Sequence, residues 1–180
     1  NASIGVHTAF QDSTPMIVLI GQIGRSMTDR EAFQEIDYRR MFGEMAKWVA
    51  QIDQVERIPE YISRAFHVAQ SGRPGPVVLA LPEDMLSSMV TVADAKKAYP
   101  VEAAPTPEAM EELRDRLSKA KKPLLIVGGP TWDKQAVEDV TAFVEANNLP
   151  VACAFRYQDR FNNTHPNYVG DIGIGINPKL

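Results

Sequence analysis

The chain has 180 residues, of which 44% are hydrophobic and 23% charged, and its formal net charge is −4. This is the composition of an ordinary globular protein, and the weak negative charge without Lys/Arg runs argues against a nucleic-acid-binding face. No apolar run approaches the ~20 residues that cross a bilayer, so we expect no membrane partner. The single cysteine, Cys153, predicts a small core residue in a reduced, cytoplasmic compartment.

The first 86 residues predict two buried strands, each preceded by a helix. Helical spacing within residues 4–10 is followed by the apolar run MIVLI at 16–20. A second helical pattern, over 58–69, precedes the run PVVLALP at 76–82. Short apolar runs bounded by turn residues are typical of strands that are buried on both faces of a parallel sheet. The alternation predicts an α/β fold with parallel sheets and helical crossovers.

Residues 87–105 are rich in Ala and Pro, and we interpret them as an interdomain linker between a partial domain at 1–86 and another at 106–180. In the second domain Thr106 is the expected N-cap of a helix. The predicted buried stripe of that helix consists of Met110, Leu113, Leu117 and Ala120. Strands at 123–127 and 149–154 flank a further helical pattern, which predicts the start of a nucleotide-binding fold.

Several familiar site patterns are missing from the sequence. His7, His67 and His165 share no metal-ligand spacing, so we predict no metal site on them. There is no Gly-x-Ser-x-Gly elbow and no Walker sequence. The run GDIGIG, which begins at Gly170, lacks the third glycine of a dinucleotide fingerprint.

Three short stretches each allow two interpretations. Arg73, held within SGRPGP, suits phosphate or carboxylate recognition, or a surface salt bridge beside a stiff turn. The Gly128–Gly129 pair either admits a ligand to the backbone or makes a turn that needs positive φ, and the turn is favoured. Phe33 and Gln34 either line a pocket at a strand end or lie in a short amphipathic helix with Phe33 packed inward, which is favoured.

Four stretches of the chain, taken in order, carry a resemblance to a known enzyme family. They are NASIGVHTAFQDSTPMIVLIG at 1–21, EAFQEID at 31–37, SGRPGPVVLALPEDM at 71–85 and PLLIVGGP at 123–130. The first three resemble the second half of the pyrimidine-binding domain of thiamine-diphosphate-dependent enzymes of the acetolactate synthase type. The fourth resembles the start of their Rossmann-like central domain, so the resemblance covers essentially the whole chain.

The resemblance implies an enzyme that uses thiamine diphosphate and Mg²⁺ to decarboxylate a 2-oxo acid such as pyruvate and to transfer the acyl unit to an acceptor. It implies that Gln34 faces the reacting carbon, with Phe33 beside it, at a site completed by another subunit of a homodimer or homotetramer. It also places Lys47 at the substrate entrance. The resemblance implies that Asn1 and Gln34 contact the thiamine cofactor. It implies that FAD is contacted by Ser13, Arg73, Gly128, Gly129, Phe155 and the loop from Gly170 to Gly173.

Parts of that machinery are missing from the 180 residues. The family's activating glutamate would precede Asn1, and the Gly-Asp-Gly motif that holds Mg²⁺ and the diphosphate does not occur. We interpret the chain as an internal piece of the enzyme that is inactive alone and associates with itself or with the missing parts. A non-catalytic nucleotide-binding or assembly module is the alternative, and a complete small α/β domain with another activity is a weaker one.

Overall fold

The computed structural model describes residues 1–176, 178 and 180, which form two compact units, Asn1–Glu102 and Ala103–Leu180. The first unit alternates helices and strands. In chain order these are α1 (Ala2–Gln11), β1 (Met16–Gln22), α2 (Tyr38–Phe42), β2 (Trp48–Gln51), α3 (Ile58–Gln70), β3 (Pro76–Pro82) and α4 (Glu83–Leu86). Short 3₁₀ turns occur at Arg25–Met27 and Val55–Arg57.

The sheet of the first unit has the strand order β1-β3-β2, and both pairings are parallel. The central strand β3 is buried on both faces, which explains its unbroken apolar sequence. Val77 and Leu79 pack with α3 on one face, whereas Val78 packs with Val6 of α1 and Phe42 of α2 on the other. Helices therefore cover both faces of this sheet.

The second unit contains α5 (Pro107–Lys119), β4 (Leu125–Val127), α6 (Lys134–Asn147), β5 (Val151–Ala154) and β6 (Tyr168–Ile172). Its strands are parallel in the order β4-β5-β6. As predicted, Thr106 caps α5 by accepting a hydrogen bond from the Ala109 N–H, and Cys153 lies in the core with 0% exposure. The predicted α/β class with parallel sheets and helical crossovers is thus confirmed for both units.

The segment that we interpret as a linker, residues 87–105, contains neither helix nor strand, and the structure describes all of it. The division between the two compact units falls inside it, between Glu102 and Ala103. Among the described residues, no helix combines the length and the apolar character needed to span a membrane.

Two burial predictions were wrong. None of the β1 side chains is fully buried and Leu19 is 55% exposed, so this strand is not buried on both faces. The stripe predicted to be buried on α5 is also exposed, with Met110 at 49%, Leu113 at 47% and Leu117 at 37%. These three side chains line an apolar groove of about 1070 Å³ in the second unit.

Candidate functional site

A polar cavity of about 340 Å³ lies at the carboxyl edge of the first sheet. Because β1 and β2 both run parallel to β3, their last residues, Gln22 and Gln51, lie at the same edge on either side of β3. In open α/β sheets ligands bind outside the carboxyl ends of the strands. The charged and polar side chains that line the cavity are Gln22, Thr28, Asp29, Glu35, Asp37, Tyr38, Arg39, Gln51 and Asp53.

Residues 28–36, here named the Phe33 loop, form one wall of this cavity. Glu35 fastens the loop to itself, because its Oε1 accepts from Asp29 N at 2.7 Å and its Oε2 from Ala32 N at 3.2 Å. Gln22 fastens the loop to β1, since its Nε2 donates to Ile36 O at 2.8 Å. A charged carboxylate that accepts two amide hydrogen bonds is a strong local tie.

The backbone of the Phe33 loop is strained, and the loop exposes an aromatic side chain. Asp29, Glu31 and Gln34 have φ values of 62°, 54° and 73°, in the left-handed region that favours glycine. Phe33 is 89% exposed, and Gln34 is exposed beside it. The loop contains no helix, so the prediction of a short helix with Phe33 packed inward was wrong. Neither side chain lines the cavity, and both are exposed to solvent.

An ion pair holds the segment that enters this loop. Arg25 donates from its backbone N–H to Asp84 Oδ1 at 3.0 Å and from Nε to Asp84 Oδ2 at 2.7 Å. Its guanidinium also donates to the Asp53 carbonyl. The backbone and side-chain hydrogen bonds from Arg25 lower the pKa of Asp84. This contact joins the segment after β1 to α4 and to the end of β2.

Most of the residues that build this edge carry no signal in the sequence. Gln22, Gln51 and Arg25 are single polar residues at strand ends or in loops, with no spacing that marks them. Asp37 did carry a signal, because Asp is a favoured N-cap, and its carboxylate accepts from Arg40 N at 3.1 Å at the start of α2.

Lys47 lies at the opposite, amino edge of the sheet. It precedes β2, and its backbone N–H donates to Pro76 O at the start of β3. Its Nζ donates to two carbonyls at the end of α3, those of Val68 and Ser71. Burial lowers the pKa of the Lys47 ammonium. Within this unit the structure therefore does not bring Lys47 together with Phe33 and Gln34.

The structure does bring Ser13 and Arg73 together. Arg73 Nε donates to Ser13 Oγ at 2.8 Å, and its Nη2 donates to the carbonyls of Phe10 and Gln11, each at 3.2 Å. These contacts place the guanidinium on the last turn of α1. Asn1 lies at the other end of α1, where it is the N-cap without a side-chain hydrogen bond.

In the second unit, predicted cofactor residues gather at the carboxyl edge of the second sheet. Gly129 has φ 84°, as the turn interpretation predicts. A Cβ at Gly128 would lie 2.8 Å from the Cβ of Ala154, and one at Gly173 would lie 2.5 Å from the Cβ of Phe155. The prediction of a loop from Gly170 to Gly173 was wrong in part, because Gly170 lies inside β6, opposite Ala152.

Two backbone carbonyls and one backbone amide at this second edge are hydrogen-bonded to neighbouring side chains. Trp132 Nε1 donates to Gly128 O at 2.9 Å, and Arg160 Nε donates to Gly129 O at 3.4 Å. At the start of α6 the Asp133 carboxylate accepts from Ala136 N at 2.8 Å. Helix N-termini bind nucleotide phosphates through their free amides and positive dipole end, and Asp133 places a negative charge there instead. The edge therefore does not fit a dinucleotide diphosphate seated on α6.

Comparison with known proteins identifies the family. Residues 110–180 match the model of the thiamine pyrophosphate enzyme central domain. The chain is 33% identical over 180 residues to the acetolactate synthase isozyme 3 large subunit of Escherichia coli (strain K12), covering 97% of this chain and 31% of that protein. It is 35% identical over 155 residues to the acetolactate synthase large subunit of Lactococcus lactis subsp. lactis (strain IL1403), covering 84% of this chain and 27% of that protein.

A solved structure agrees with this relationship. The crystal structure of benzoylformate decarboxylase from Polynucleobacter necessarius matches with a TM-score of 0.85 and 32% identity, covering 96% of this chain and 33% of that one. The chain therefore belongs to the thiamine-diphosphate-dependent enzyme family. Within that family it is acetolactate synthase-like, and it spans about a third of the length of the curated relatives it matches.

Proposed function

We propose that this chain is part of an enzyme that decarboxylates a 2-oxo acid such as pyruvate and transfers the acyl unit to an acceptor. The observation that carries the proposal is the Phe33 loop, which holds Phe33 at 89% exposure beside Gln34 at the carboxyl edge of the sheet. The proposal extends to this chain the reaction for which its acetolactate synthase relatives are named.

The exposure of Phe33 supports a site that a second subunit completes. A single exposed apolar side chain is ordinary, but here it stands on a loop whose backbone is strained at three non-glycine residues. Each such conformation costs about 1–3 kcal/mol, and strain of this kind concentrates at functional sites. Exposure of the Phe33 ring to water does not offset the strain energy of this loop. We therefore propose that the loop docks against a partner in a homodimer or homotetramer.

The chemistry divides between cofactor and protein. Thiamine diphosphate, when bound, supplies the electron sink that accepts the electron pair left as carbon dioxide departs. The Gln34 amide would donate a hydrogen bond to the substrate oxygen that gains negative charge, and Phe33 would keep water away from it. We propose Asn1, at the start of α1, as a further cofactor contact.

The residues of this chain fit one part of that cofactor. They offer an aromatic ring and an amide, which suit the organic rings and the reacting centre. Among the described residues no group of three or more His, Cys, Asp or Glu side chains could hold a metal ion. We therefore assign the Mg²⁺ and diphosphate contacts to none of these residues, and we propose that the 180 residues alone do not turn over substrate.

We propose that the enzyme retains no flavin. Of the implied flavin contacts, Ser13 and Arg73 bond to each other. At the start of α6 the Asp133 carboxylate accepts from Ala136 N, and its negative charge disfavours a diphosphate there. The place of Lys47 at a substrate entrance stays a prediction for the assembled enzyme.

The test uses the full-length gene product that contains this chain, assayed with thiamine diphosphate and Mg²⁺ against pyruvate and larger 2-oxo acids. Replacing Gln34 by Ala should lower kcat by about 100- to 1,000-fold, the effect of losing one donor to developing charge. The matched control is Gln11→Ala, an exposed glutamine on α1, which should leave kcat unchanged. If the wild-type protein released carbon dioxide from none of these acids, the non-catalytic module would be favoured instead. Turnover by the isolated 180 residues would contradict their proposed inactivity.

A further inference from the structure

The two residues that carry the proposed function are the central pair of a tight turn. Ala32 O accepts from Glu35 N at 3.0 Å, which closes a β-turn with Phe33 and Gln34 at its second and third positions. The third position has φ 73°, where glycine or asparagine is the favoured residue. A glutamine at this position strains the turn, so something outside the turn must hold it in this conformation.

Glu35 supplies that restraint from the last position of the same turn. Its side chain is half-buried, and each carboxylate oxygen accepts from a different backbone amide, Oε1 from Asp29 N and Oε2 from Ala32 N. The hydrogen bond from Ala32 N fixes the first residue of the turn, and the hydrogen bond from Asp29 N fixes the segment before the turn. The Glu35 carboxylate thus connects two separate points of the Phe33 loop, the amides of Asp29 and Ala32.

The chain fixes the other side of the turn independently. Gln22 Nε2 donates to Ile36 O at 2.8 Å, and Gln22 Oε1 accepts from Ile23 N at 3.0 Å. The residue that follows Glu35 is therefore fastened to the end of β1. Between these two ties the positions of Phe33 and Gln34 are determined, whereas their side chains remain in solvent.

We propose that Glu35 is a positioning residue that holds the Gln34 amide in the orientation it needs for the reaction, an inference that rests on the function proposed above. Only a carboxylate of this length meets the geometry. A glutamine replaces one of the two acceptor oxygens by an NH₂ donor, so it cannot offer a separate oxygen to each amide, and an aspartate is one methylene shorter. Misplacing a reacting group by about 1 Å can lower the rate by about 100-fold.

The experiment compares Glu35→Gln, Gln34→Ala and the double variant in the full-length enzyme. Glu35→Gln should lower kcat by about 10-fold with KM changed less than about twofold, because a bound substrate meets a misplaced amide. The double variant should be no slower than Gln34→Ala, since Glu35 acts through Gln34. The control is Glu44→Gln, which makes the same change at an exposed glutamate that does not line the cavity, and it should keep wild-type kcat.

Hydrogen exchange supplies a second readout that needs no turnover. In Glu35→Gln the amides of Asp29 and Ala32 should exchange about 10-fold faster, while the amides of β3 stay protected. Wild-type exchange at both amides would overturn the tie itself. Faster exchange with unchanged kcat, or rate losses that multiply in the double variant, would overturn the positioning role and leave the proposed function standing. A wild-type enzyme without turnover would instead sink the proposed function and the catalytic consequence drawn here.

Discussion

Arg73 Nε donates a hydrogen bond to Ser13 Oγ over 2.8 Å, between residues that are 60 positions apart in the chain. Ser13 is 5% exposed and has φ 57°, so its hydroxyl sits on a tightly turned and buried backbone. The same guanidinium bonds the carbonyls of Phe10 and Gln11. One cation therefore neutralises the negative end of α1 and secures the turn that leads into β1.

Replacing Arg73 by Lys should destabilise the protein, because an ammonium cannot repeat the planar fork that reaches three acceptors. We expect the free energy of unfolding to fall by about 1–2 kcal/mol, measured by urea denaturation. The control is Arg39→Lys, on the exposed side of α2, which should change stability by less than about 0.5 kcal/mol. An Arg73→Lys variant as stable as the control would show that the fork contributes nothing.

Replacing Gln34 by Gly should stabilise the protein and impair the enzyme at once. Glycine adopts the φ of 73° without the Cβ strain that Gln34 carries, so we expect a gain of about 1 kcal/mol in the free energy of unfolding. Carbon dioxide release should fall as far as in Gln34→Ala. The matched change Gln11→Gly, in the last turn of α1, should lower stability instead. A stability loss in Gln34→Gly would mean that the loop is not strained at this residue.

The Arg25–Asp84 contact predicts part of the acid sensitivity. Its hydrogen bonds lower the pKa of Asp84 below the ordinary value of 3.8, so the folded state binds a proton less readily than the unfolded state. The contribution of Asp84 is therefore present above pH 3.8 and is lost as the pH falls below it. Melting temperatures recorded from pH 6 downward should fall less steeply for Asp84→Asn than for the wild type. Asp94→Asn, in the segment between the units, should follow the wild-type curve.

The close approach of Gly128 and Ala154 predicts a compensating pair of substitutions. Gly128→Ala places a methyl group 2.8 Å from the Ala154 Cβ and should destabilise the protein by about 1–3 kcal/mol. Ala154→Gly removes the obstructing methyl, so the double variant should recover stability relative to the sum of the two single changes. Urea denaturation of all four proteins measures this coupling energy. Strictly additive losses in the free energy of unfolding would show that the second sheet accommodates the added methyl group by moving residues other than Ala154.

The environment of α6 predicts that the purified full-length protein retains no flavin. The Asp133 carboxylate accepts from the Ala136 amide and places a negative charge at the helix N-terminus, which disfavours the diphosphate of a flavin dinucleotide there. Absorbance near 450 nm after gel filtration with added FAD should show far less than one flavin per chain. Stoichiometric flavin under these conditions would contradict the misfit.

The sequence was sufficient to predict the fold class, because strands buried on both faces and amphipathic helices leave strong periodic signals. PVVLALP predicted β3 correctly, and the Thr106 cap predicted the start of α5. The short strand β2 escaped prediction, since four residues give too little pattern. The α5 stripe was correct as a helix face but not as a buried one, because burial depends on what packs against it.

The site was predictable only through resemblance. EAFQEID identifies Phe33 and Gln34, but nothing in seven letters shows that Gln34 takes a left-handed conformation or that Glu35 binds two amides. Those features depend on the path of the chain after β1, where the Gln22 side chain donates a hydrogen bond to the Ile36 carbonyl. Long-range ties of this kind are properties of the folded chain, and local patterns do not encode them.

The strand order β1-β3-β2 also has a consequence for synthesis on the ribosome. Both outer strands of the first sheet pair with β3, which is the last of the three to be made. At about 5–20 residues per second, β1 emerges several seconds before the partner that hydrogen-bonds it. Its apolar residues must stay unaggregated during that interval. A slowly translated stretch between β1 and β3 would lengthen this exposure, and codon choice there should affect the yield of folded protein.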